Sequence, residues 1–358
     1  MKWLITGGCG FIGSSFIKRL LTESRNKIRV VDNLSVGTRE DLAAVCDFEE
    51  ISVQRSDFRN HRSEVKTGLQ VELVVGDITD QELMEQSAMG VDCIVHLAAN
   101  SGVGPSVENP REDMQANVIG TLNMLEAARK NSVERFIFAS SSAPVGETEP
   151  PVHENIAPRP VSPYGASKLA GEGYCSAYYR TFGLNTVALR FGNVYGPGST
   201  HKSSVVAKFI KQALQGETCE IYGDGKQTRD FIYIDDLVLA ILKAAFFDSR
   251  TISGYNVSSS NAGHSQAQPR PWGEIFQIAT NKEHTVNELA EILALELKNH
   301  GVTMQIKHGK PMRGDIRRNY SDTSKAKEML GWECQTGLHE GLAKTVEWFV
   351  YGKRGACN

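Results

Sequence analysis

The chain has 358 residues, of which 41% are hydrophobic and 23% charged, and its formal net charge is −3 at pH 7. This length predicts one large domain or two coupled domains with a substantial core. The small net charge and the lack of a long basic cluster argue against nucleic acid or an anionic membrane as a partner. No apolar run approaches about 18 residues and no leader precedes the first strand, so we expect a cytoplasmic protein.

Cysteine and histidine spacing gives no sign of a metal site. The seven cysteines are dispersed without a CxxC pair, which favours reduced thiols over disulfides or structural zinc. The nine histidines form no HxxxH or HExxH pattern. We therefore expect no bound metal.

The first informative stretch, residues 1–32, has the pattern of a βαβ unit that binds a dinucleotide. A short apolar strand is followed by three glycines, an amphipathic helical segment and a second apolar strand. The glycines permit in turn a tight turn, close approach of backbone amides to a pyrophosphate, and close packing of the helix on the strand. The residues expected to contact the dinucleotide here are Gly7, Gly10, Phe11, Ile12 and Gly13.

Asp32 indicates which dinucleotide is bound. It ends the second strand, nineteen residues after Gly13, where an acidic side chain can accept hydrogen bonds from a ribose 2′-hydroxyl. Such a carboxylate repels a 2′-phosphate, and the next positions, Asn33 and Leu34, carry no arginine to accommodate one. The sequence predicts NAD rather than NADP.

Apolar strands alternate with helical segments along most of the chain, which predicts an α/β protein with a doubly wound parallel sheet and ligands at the carboxyl ends of the strands. The expected strands are 71–75, 91–99, 135–140 and 186–190, and the expected helices begin near 80 or span 111–130, 164–182, 204–215, 234–247, 285–297 and 323–331. Two polar stretches interrupt the pattern. We expect 45–70 to be a surface insertion with a short helix and 257–273 to be a loop.

A second informative stretch combines three serines, 140–142, at a strand end with Tyr164 and Lys168 on a helix. Positions i and i+4 share a helix face, so the phenol and the ammonium can point into one site. A nearby ammonium stabilises phenolate, from which we expect a lowered pKa for Tyr164. Tyr164 can then take a hydroxyl proton while hydride leaves the adjacent carbon.

These motifs, together with Arg190-Phe191-Gly192-Asn193 and Arg229-Asp230-Phe231, resemble the extended short-chain dehydrogenase/reductase family, specifically its nucleotide-sugar epimerases of the UDP-galactose 4-epimerase type. The resemblance implies cofactor contacts from Asn33, Asp77, Ile78, Leu97, Ala98, Ala99, Asn117, Tyr164 and Lys168. It implies contacts to a UDP-sugar from Ser141, Tyr164, Asn193, Tyr222, Arg229, Arg313 and Asn319. It also implies an NAD-binding Rossmann domain over 1–190, to which 229–282 partly returns, and a smaller substrate domain formed by 191–228 and 283–358.

Ser141 is our choice for the serine that contacts the reacting hydroxyl, with Ser140 and Ser142 as alternatives. Related dehydratases carry an Asp-Glu pair just after this serine and related decarboxylases a Glu, whereas this chain has Ser142-Ala143. This difference favours C4 epimerisation through a 4-keto sugar. A 4-keto reductase, a dehydratase, a decarboxylase and a non-catalytic NAD-binding regulator remain the alternatives.

Two further expectations concern the sugar and the assembly. In this family, a bulky tyrosine at one position after the Arg-Gly-Asp motif restricts the sugar pocket, and a smaller residue there admits 2-acetamido sugars. Alignment of the motif places Asn319 at this position and so favours 2-acetamido sugars. An alignment shifted by one residue would place Tyr320 there instead. The family also pairs two helices across a two-fold axis, which predicts a homodimer. The apolar residues expected to take part are Leu122, Met124, Leu125, Tyr174, Tyr178 and Tyr179, with burial inside the monomer as the rival interpretation.

Overall fold

The structure is a computed structural model that describes residues 1–52, 69–201, 204–247, 270–311 and 317–352. The strands are β1 (Lys2–Thr6), β2 (Lys27–Asp32), β3 (Glu49–Glu50), β4 (Val71–Val75), β5 (Cys93–His96), β6 (Arg135–Ser141), β7 (Asn185–Phe191), β8 (Asn193–Tyr195), β9 (Thr218–Tyr222), β10 (Thr228–Arg229), β11 (Phe231–Tyr233), β12 (Glu274–Ile278), β13 (His284–Thr285) and β14 (Gln305–Gly309). The helices are α1 (Phe11–Leu20), α2 (Arg39–Ala43), α3 (Gln81–Ser87), α4 (Val103–Glu108), α5 (Pro110–Met114), α6 (Gly120–Lys130), α7 (Pro163–Phe182), α8 (Val205–Leu214), α9 (Ile234–Ala245), α10 (Val286–Asn299), α11 (Ser324–Leu330) and α12 (Leu338–Tyr351).

Eight parallel strands form the main sheet, in the order β12-β7-β6-β5-β1-β2-β4-β3. The strand order reverses at β1, between β5 and β2, and in sheets of this kind ligands bind outside the carboxyl ends of the strands at such a reversal. The predicted fold class is confirmed. The reversal also places the glycine loop after β1 at the expected ligand edge.

Strand β1 shows why this sheet is buried on both faces. Trp3 and Ile5 lie in one hydrophobic cluster with Phe16 of α1, whereas Leu4 lies in another with Met124 of α6. Successive side chains of a strand point to opposite faces, so a nearly continuous apolar run is required when helices cover both faces. The core therefore holds the carboxyl end of β1 between two packed layers.

Beyond β7 the chain adds short pairings outside the main sheet. Strand β8 pairs with β11 in parallel, β9 pairs with β14 in parallel, and β10 pairs with β13 in antiparallel fashion. Helix α12 had not been predicted, although Leu342 and Val346 on its buried face follow the helical i+4 period. Strand β12, also not predicted, returns to the main sheet beside β7.

Several predicted boundaries differ from the structure. The helix expected over 111–130 is divided into α5, a π-helical turn (Gln115–Ile119) and α6, and the strand expected over 91–99 is only β5. The short helix expected in 45–70 is not found over 44–52, and α2 lies just before that segment; 53–68 and 257–269 lie outside the described residues. Thr285, at the start of the helix expected over 285–297, is the N-cap of α10, since its side chain accepts a hydrogen bond from Glu288 N in a capping box.

Within the described ranges, no helix combines the length and the apolar character needed to cross a membrane. The six cysteines in those ranges are free thiols. The same ranges contain no cluster of three or more His, Cys, Asp or Glu side chains suited to a metal ion.

Candidate functional site

The glycine loop after β1 is shaped by the absence of side chains. Gly7 has φ +69°, and a Cβ there would lie 2.8 Å from Ala98 N. A Cβ on Gly13 would lie 2.5 Å from Gly8 Cα and closer still to Gly7 O, whereas a Cβ on Gly10 would meet Gly7 O at 3.3 Å and no other described atom within 4 Å. Gly7 and Gly13 are therefore required by the fold itself, while Gly10 keeps its outer side open to a ligand.

Gly37 supports the same loop from behind and was not identified from the sequence. A Cβ at Gly37 would lie 2.3 Å from both Cys9 C and Cys9 O and 2.6 Å from Gly10 N, which is sterically excluded. The only sequence signal was its place shortly after Asp32, at the end of the βαβ unit.

Asp32 links the glycine loop to the chain that follows β2. Its Oδ2 accepts a hydrogen bond from Cys9 N and its Oδ1 accepts one from Leu34 N, both at 2.9 Å. Burial raises the pKa of Asp32, and the two backbone hydrogen bonds oppose that rise. A carboxylate offers about four acceptor positions, so two stay available for ribose hydroxyl groups.

Asn33 and Asp77 contact each other across neighbouring strands. Asn33 Nδ2 donates to Asp77 Oδ2 at 2.8 Å, and Thr79 N and Oγ1 donate to Asp77 Oδ1. Burial would raise the pKa of Asp77, but these hydrogen bonds lower it overall. Ile78 is buried against Gly120. Asn33, Asp77 and Ile78, which the resemblance assigned to the cofactor, thus follow the carboxyl ends of the neighbouring strands β2 and β4.

A chain of hydrogen bonds runs from the end of β5 to the π-helical turn. Ala98 N donates to Thr6 Oγ1 (3.2 Å), which lies 2.7 Å from His96 Nδ1. On the other side of the ring, His96 Nε2 lies 3.1 Å from Thr121 Oγ1, and this hydroxyl donates to Asn117 O. Because Ala98 N can only donate and Asn117 O can only accept, His96 carries its proton on Nε2. Burial lowers the pKa of His96 to about 3, so it stays neutral and this direction is preserved.

The half-buried residues Leu97 and Ala99 flank Ala98 at the same edge. Asn117 lies behind them and is buried. Its Nδ2 donates to Asn100 O (2.9 Å), Asp113 Oδ1 (2.9 Å) and Ser167 Oγ (3.1 Å), and its Oδ1 accepts from Asn100 N. Since its polar atoms contact protein groups, the side chain of Asn117 fixes the loop after β5 to the helix that carries Tyr164.

The structure brings Ser141, Tyr164 and Lys168 together at the carboxyl edge of the sheet. Ser141 hydrogen-bonds to the Tyr164 phenol, and its Oγ accepts from Ala143 N at 3.2 Å. Lys168 Nζ donates to Ala139 O at 3.0 Å and lies 6.0 Å from the centroid of the Tyr164 ring. The i, i+4 spacing on α7 produces the shared face that the sequence predicted.

The predicted lowering of the Tyr164 pKa is wrong for this structure. Burial raises the pKa of Tyr164 to about 12, the hydrogen bond from Ser141 opposes that rise, and the charge of Asp113 adds to it. Burial also lowers the pKa of Lys168 to about 8. The physical reason is desolvation, which penalises phenolate and ammonium alike and is the largest cause of both shifts.

Ser140 is turned away from this cluster. Its hydroxyl donates to Glu172 Oε1 at 2.6 Å. Glu172 also forms a bidentate ion pair with Arg190, whose Nε donates to Oε1 and whose Nη2 donates to Oε2, each at 2.7 Å. The Glu172–Arg190 pair is 1% exposed on each side. This buried cluster was missed, although Glu172 continues the i+4 series of Tyr164 and Lys168. Of the three serines, Ser141 is the one whose side chain hydrogen-bonds to Tyr164.

The residues assigned to the sugar nucleotide lie on the short strands beyond the main sheet. Asn193 is exposed and donates to Asp230 O through its backbone N, at 2.9 Å. Arg229 Nη1 donates to Thr228 O at 2.7 Å. Tyr222 is exposed, with Lys208 Nζ at 5.2 Å from its ring centroid. Asn319 is half-buried, and Arg313 lies outside the described residues.

Asp230 holds three segments of this region together, a role that the sequence did not reveal. Its carboxylate accepts from Thr280 N (2.7 Å), Thr280 Oγ1 (2.6 Å), Asn281 N (3.1 Å) and Ser321 N (3.3 Å). Burial raises the pKa of Asp230, and these hydrogen bonds oppose that rise. Its place between Arg229 and Phe231 was the only signal available.

The residues predicted to form a dimer contact divide into two groups. Met124, Leu125 and Tyr178 are buried inside the monomer, as the rival interpretation held. Tyr174 is 38% exposed, and the nearby Phe182 of the same helix is 53% exposed. One face of α7 therefore presents aromatic side chains to solvent.

The site fits a dinucleotide on its own geometry. Gly10, whose outer side is open, is the N-cap of α1, and the first turn of this helix contains no acidic residue. Such a terminus attracts a pyrophosphate because its backbone amides and dipole are positive. Asp32 lies at the end of the neighbouring strand, where a ribose can be held.

Comparisons with known proteins agree with this geometry. A model of the NAD dependent epimerase/dehydratase family matches residues 3–257. A UDP-glucose 4-epimerase of Mycolicibacterium smegmatis is 34% identical over 354 residues, which cover 98% of each chain. A UDP-glucose 4-epimerase from Thermotoga maritima, solved with UDP-glucose, is 34% identical with a TM-score of 0.78 and covers both chains completely. A UDP-N-acetylglucosamine 4-epimerase from Methanobrevibacter ruminantium M1, solved with UDP-N-acetylmuramic acid, is 29% identical with a TM-score of 0.79, over 98% of each chain.

Proposed function

Since the chain belongs to the NAD-dependent epimerase/dehydratase family, we propose that it inverts the C4 configuration of a UDP-sugar through a transient 4-keto sugar. The observation that carries this proposal is the convergence of Ser141, Tyr164 and Lys168 at the strand ends beside the glycine loop. These groups supply a proton acceptor, a hydroxyl contact and a positive charge, which is the set that reversible oxidation of a secondary alcohol requires.

The protein's own residues have distinct tasks in this reaction. Ser141 hydrogen-bonds to the C4 hydroxyl, and Tyr164 removes its proton and later returns one. NAD, held by the glycine loop and Asp32, supplies the two-electron acceptor and donor for C4. Lys168 lies over the Tyr164 ring, where its positive charge favours phenolate and contributes to holding the nicotinamide ribose.

Residues next to Ser141 support epimerisation over dehydration. Elimination of water from the sugar requires a further acid and base. Here Ser142 and Ala143 follow, and Ala143 uses its backbone N–H to bond Ser141 Oγ. We therefore assign no second acid–base pair to this loop.

We assign the UDP part of the substrate to the smaller domain, residues 191–228 and 283–358, with 1–190 and part of 229–282 holding NAD. Asn193, Tyr222 and Arg229 lie on β8, β9 and β10, and Arg313 follows β14 in the chain. Guanidinium groups pair bidentately with phosphate oxygens, so Arg229 and Arg313 suit the diphosphate. Binding through the nucleotide leaves the 4-keto sugar free to rotate between the two half-reactions, so that its other face meets the cofactor.

The sugar itself we infer to be one with a 2-acetamido group. Asn319, half-buried beside Tyr320, supplies the small side chain at the gate of the sugar pocket. The test compares turnover of UDP-N-acetylglucosamine and UDP-glucose by the native protein and by Asn319→Tyr. We expect the variant to lose the acetamido substrate selectively. Exclusive activity of the native protein on UDP-glucose would contradict this assignment.

The reaction is tested by incubating purified protein with a panel of UDP-sugars, without added NAD, and resolving the products. We expect interconversion of C4 epimers with no net NADH. A stable 4-keto product would indicate a dehydratase, net NADH consumption a reductase, and loss of carbon dioxide a decarboxylase. Inactivity towards every sugar, with NAD still bound, would indicate a regulator.

We further propose that the protein works in the cytoplasm as a homodimer. Support for the dimer comes from the exposed face of α7, where Tyr174 and Phe182 present aromatic surface. Light scattering on the native protein and on Phe182→Glu tests it. We expect a dimer that the charged variant weakens, and a native monomer would exclude the proposal.

A further inference from the structure

Asp113 is a buried carboxylate whose two oxygens have unequal surroundings. The residue is 1% exposed and lies on α5. Its Oδ1 accepts a hydrogen bond from Asn117 Nδ2 at 2.9 Å, whereas its Oδ2 is buried without a hydrogen-bond partner among the described residues. A buried anion in this state is costly unless nearby positive charge compensates for it.

Positive charge near Asp113 comes from the helix that carries the catalytic residues. Helix α5 packs against α7, and Asn117, which holds Asp113 Oδ1, also donates to Ser167 Oγ, one residue before Lys168. The charge of Asp113 favours the ammonium of Lys168 and disfavours the phenolate of Tyr164. Asp113 therefore acts on both catalytic groups from a fixed position outside the substrate contact.

We propose that Asp113 is the buried counter-charge of the catalytic pair, which stabilises the ammonium of Lys168 and favours the protonated form of Tyr164. This inference rests on the proposed function. Epimerisation uses Tyr164 as a base in the first half-reaction and as an acid in the second. In the second half-reaction Tyr164 must carry a proton, and the negative charge of Asp113 favours that protonated phenol.

The other titratable groups around Lys168 do not supply this counter-charge. Glu172 is paired with Arg190, so its charge is locally balanced. Burial raises the pKa of Cys175, which keeps it a neutral thiol, and His96 is neutral because burial lowers its pKa to about 3. Among the described groups that act on Lys168, Asp113 is the carboxylate without a cationic side chain bonded to it.

Two variants of Asp113 separate its charge from its hydrogen bond. Asp113→Asn removes the charge but retains an oxygen that can accept from Asn117, whereas Asp113→Ala removes both. The readout is the phenolate titration of Tyr164 in the NAD-bound protein, obtained from near-ultraviolet difference spectra against Tyr164→Phe. Glu108→Gln, which neutralises an exposed carboxylate on α4, is the matched control.

We expect both Asp113 variants to lower the pKa of Tyr164 by about one pH unit, equivalent to a roughly tenfold larger phenolate fraction, and Glu108→Gln to leave it unchanged. The pH profile of epimerisation should move in the same acid direction. An unchanged Tyr164 pKa in folded Asp113→Asn overturns the proposal. A shift confined to Asp113→Ala also overturns it, since the hydrogen bond to Asn117 would then be responsible.

The phenolate titration needs no sugar, so it is independent of the proposed reaction. If the phenolate shift occurs while no UDP-sugar is converted, the electrostatic role of Asp113 stands and the proposed function fails. If sugars are converted while the titration and the pH profile are unaffected, the proposed function stands and the inference fails. Thermal unfolding of each variant confirms that folded protein is compared.

Discussion

The glycine loop and the sugar-nucleotide side of the site are built in different ways. The loop is formed by a contiguous βαβ unit, and its shape depends on side chains that are absent at Gly7 and Gly13. The sugar-nucleotide side depends on a side chain that is present, Asp230, which joins Thr280, Asn281 and Ser321. One region is specified by neighbours in sequence, the other by contacts between segments up to 91 residues apart.

This contrast predicts that the two regions fail differently when they are changed. A substitution in the glycine loop introduces steric overlap where NAD binds. A substitution at Asp230 removes hydrogen bonds between distant segments and leaves the dinucleotide site unchanged. Tyr164, on α7, belongs neither to the glycine loop nor to the contacts of Asp230. The following variants separate scaffold, cofactor binding and chemistry.

Tyr164→Phe is expected to have the largest effect on activity. Removal of the phenolic hydroxyl deletes the group that moves the proton, so turnover should fall by roughly 10³-fold. NAD should remain bound, since the substitution leaves the glycine loop unchanged. Product analysis and the NAD content of the purified protein measure the two effects. Tyr174→Phe, on the exposed face of the same helix, is the control and should remain active. Retained turnover in Tyr164→Phe would refute the mechanism.

Asp230→Ala is expected to have the largest effect on stability. It removes a buried carboxylate that accepts from Thr280 N, Thr280 Oγ1, Asn281 N and Ser321 N, which should reduce the free energy of unfolding by roughly 3 kcal/mol. Denaturant titration measures this loss, and NAD affinity per folded molecule should be nearly unchanged. The control is Asp224→Ala, whose ion pair with Arg317 is exposed and should matter little. Equal losses in the two variants would contradict the role of Asp230.

Gly13→Ala is expected to destabilise the fold by about 1–3 kcal/mol and to abolish NAD retention, because the new Cβ overlaps the backbone of Gly7 and Gly8. Thermal unfolding and measurement of bound NAD test the two parts. Gly173→Ala supplies the control, since its Cβ would meet no described atom within 4 Å in the interior of α7 and should stabilise the helix by up to about 1 kcal/mol. Normal NAD binding by Gly13→Ala would remove the steric basis of the loop.

The stability of the protein should also depend on pH through Lys168. Burial lowers the pKa of Lys168 from 10.5 to about 8, so between these values the unfolded chain binds more protons than the folded protein. Rising pH therefore favours the folded state in this window, by up to about 1.4 kcal/mol per pH unit. Lys168→Met lacks the titrating group. The difference in free energy of unfolding, native minus variant, should increase from pH 8 towards 10.5. A constant difference would show that Lys168 is not desolvated as the structure indicates.

Sequence patterns alone determined the parts of this protein that depend on short-range order. The βαβ unit, the acid Asp32 at its end, and the i, i+4 pair Tyr164 and Lys168 were all predicted from spacing. Helix and strand periods relate residues a few positions apart to one face, so such features need no knowledge of the rest of the chain. The parallel sheet followed from the same alternation of strands and helices.

Tertiary structure alone decided the features that depend on distant partners. It turned Ser140 towards Glu172, placed Asp113 beside the catalytic helix and gave Asp230 its two partner segments. It also reversed the expected direction of the Tyr164 pKa. Burial and long-range hydrogen bonding set each of these outcomes, and both arise only when segments far apart in sequence pack together.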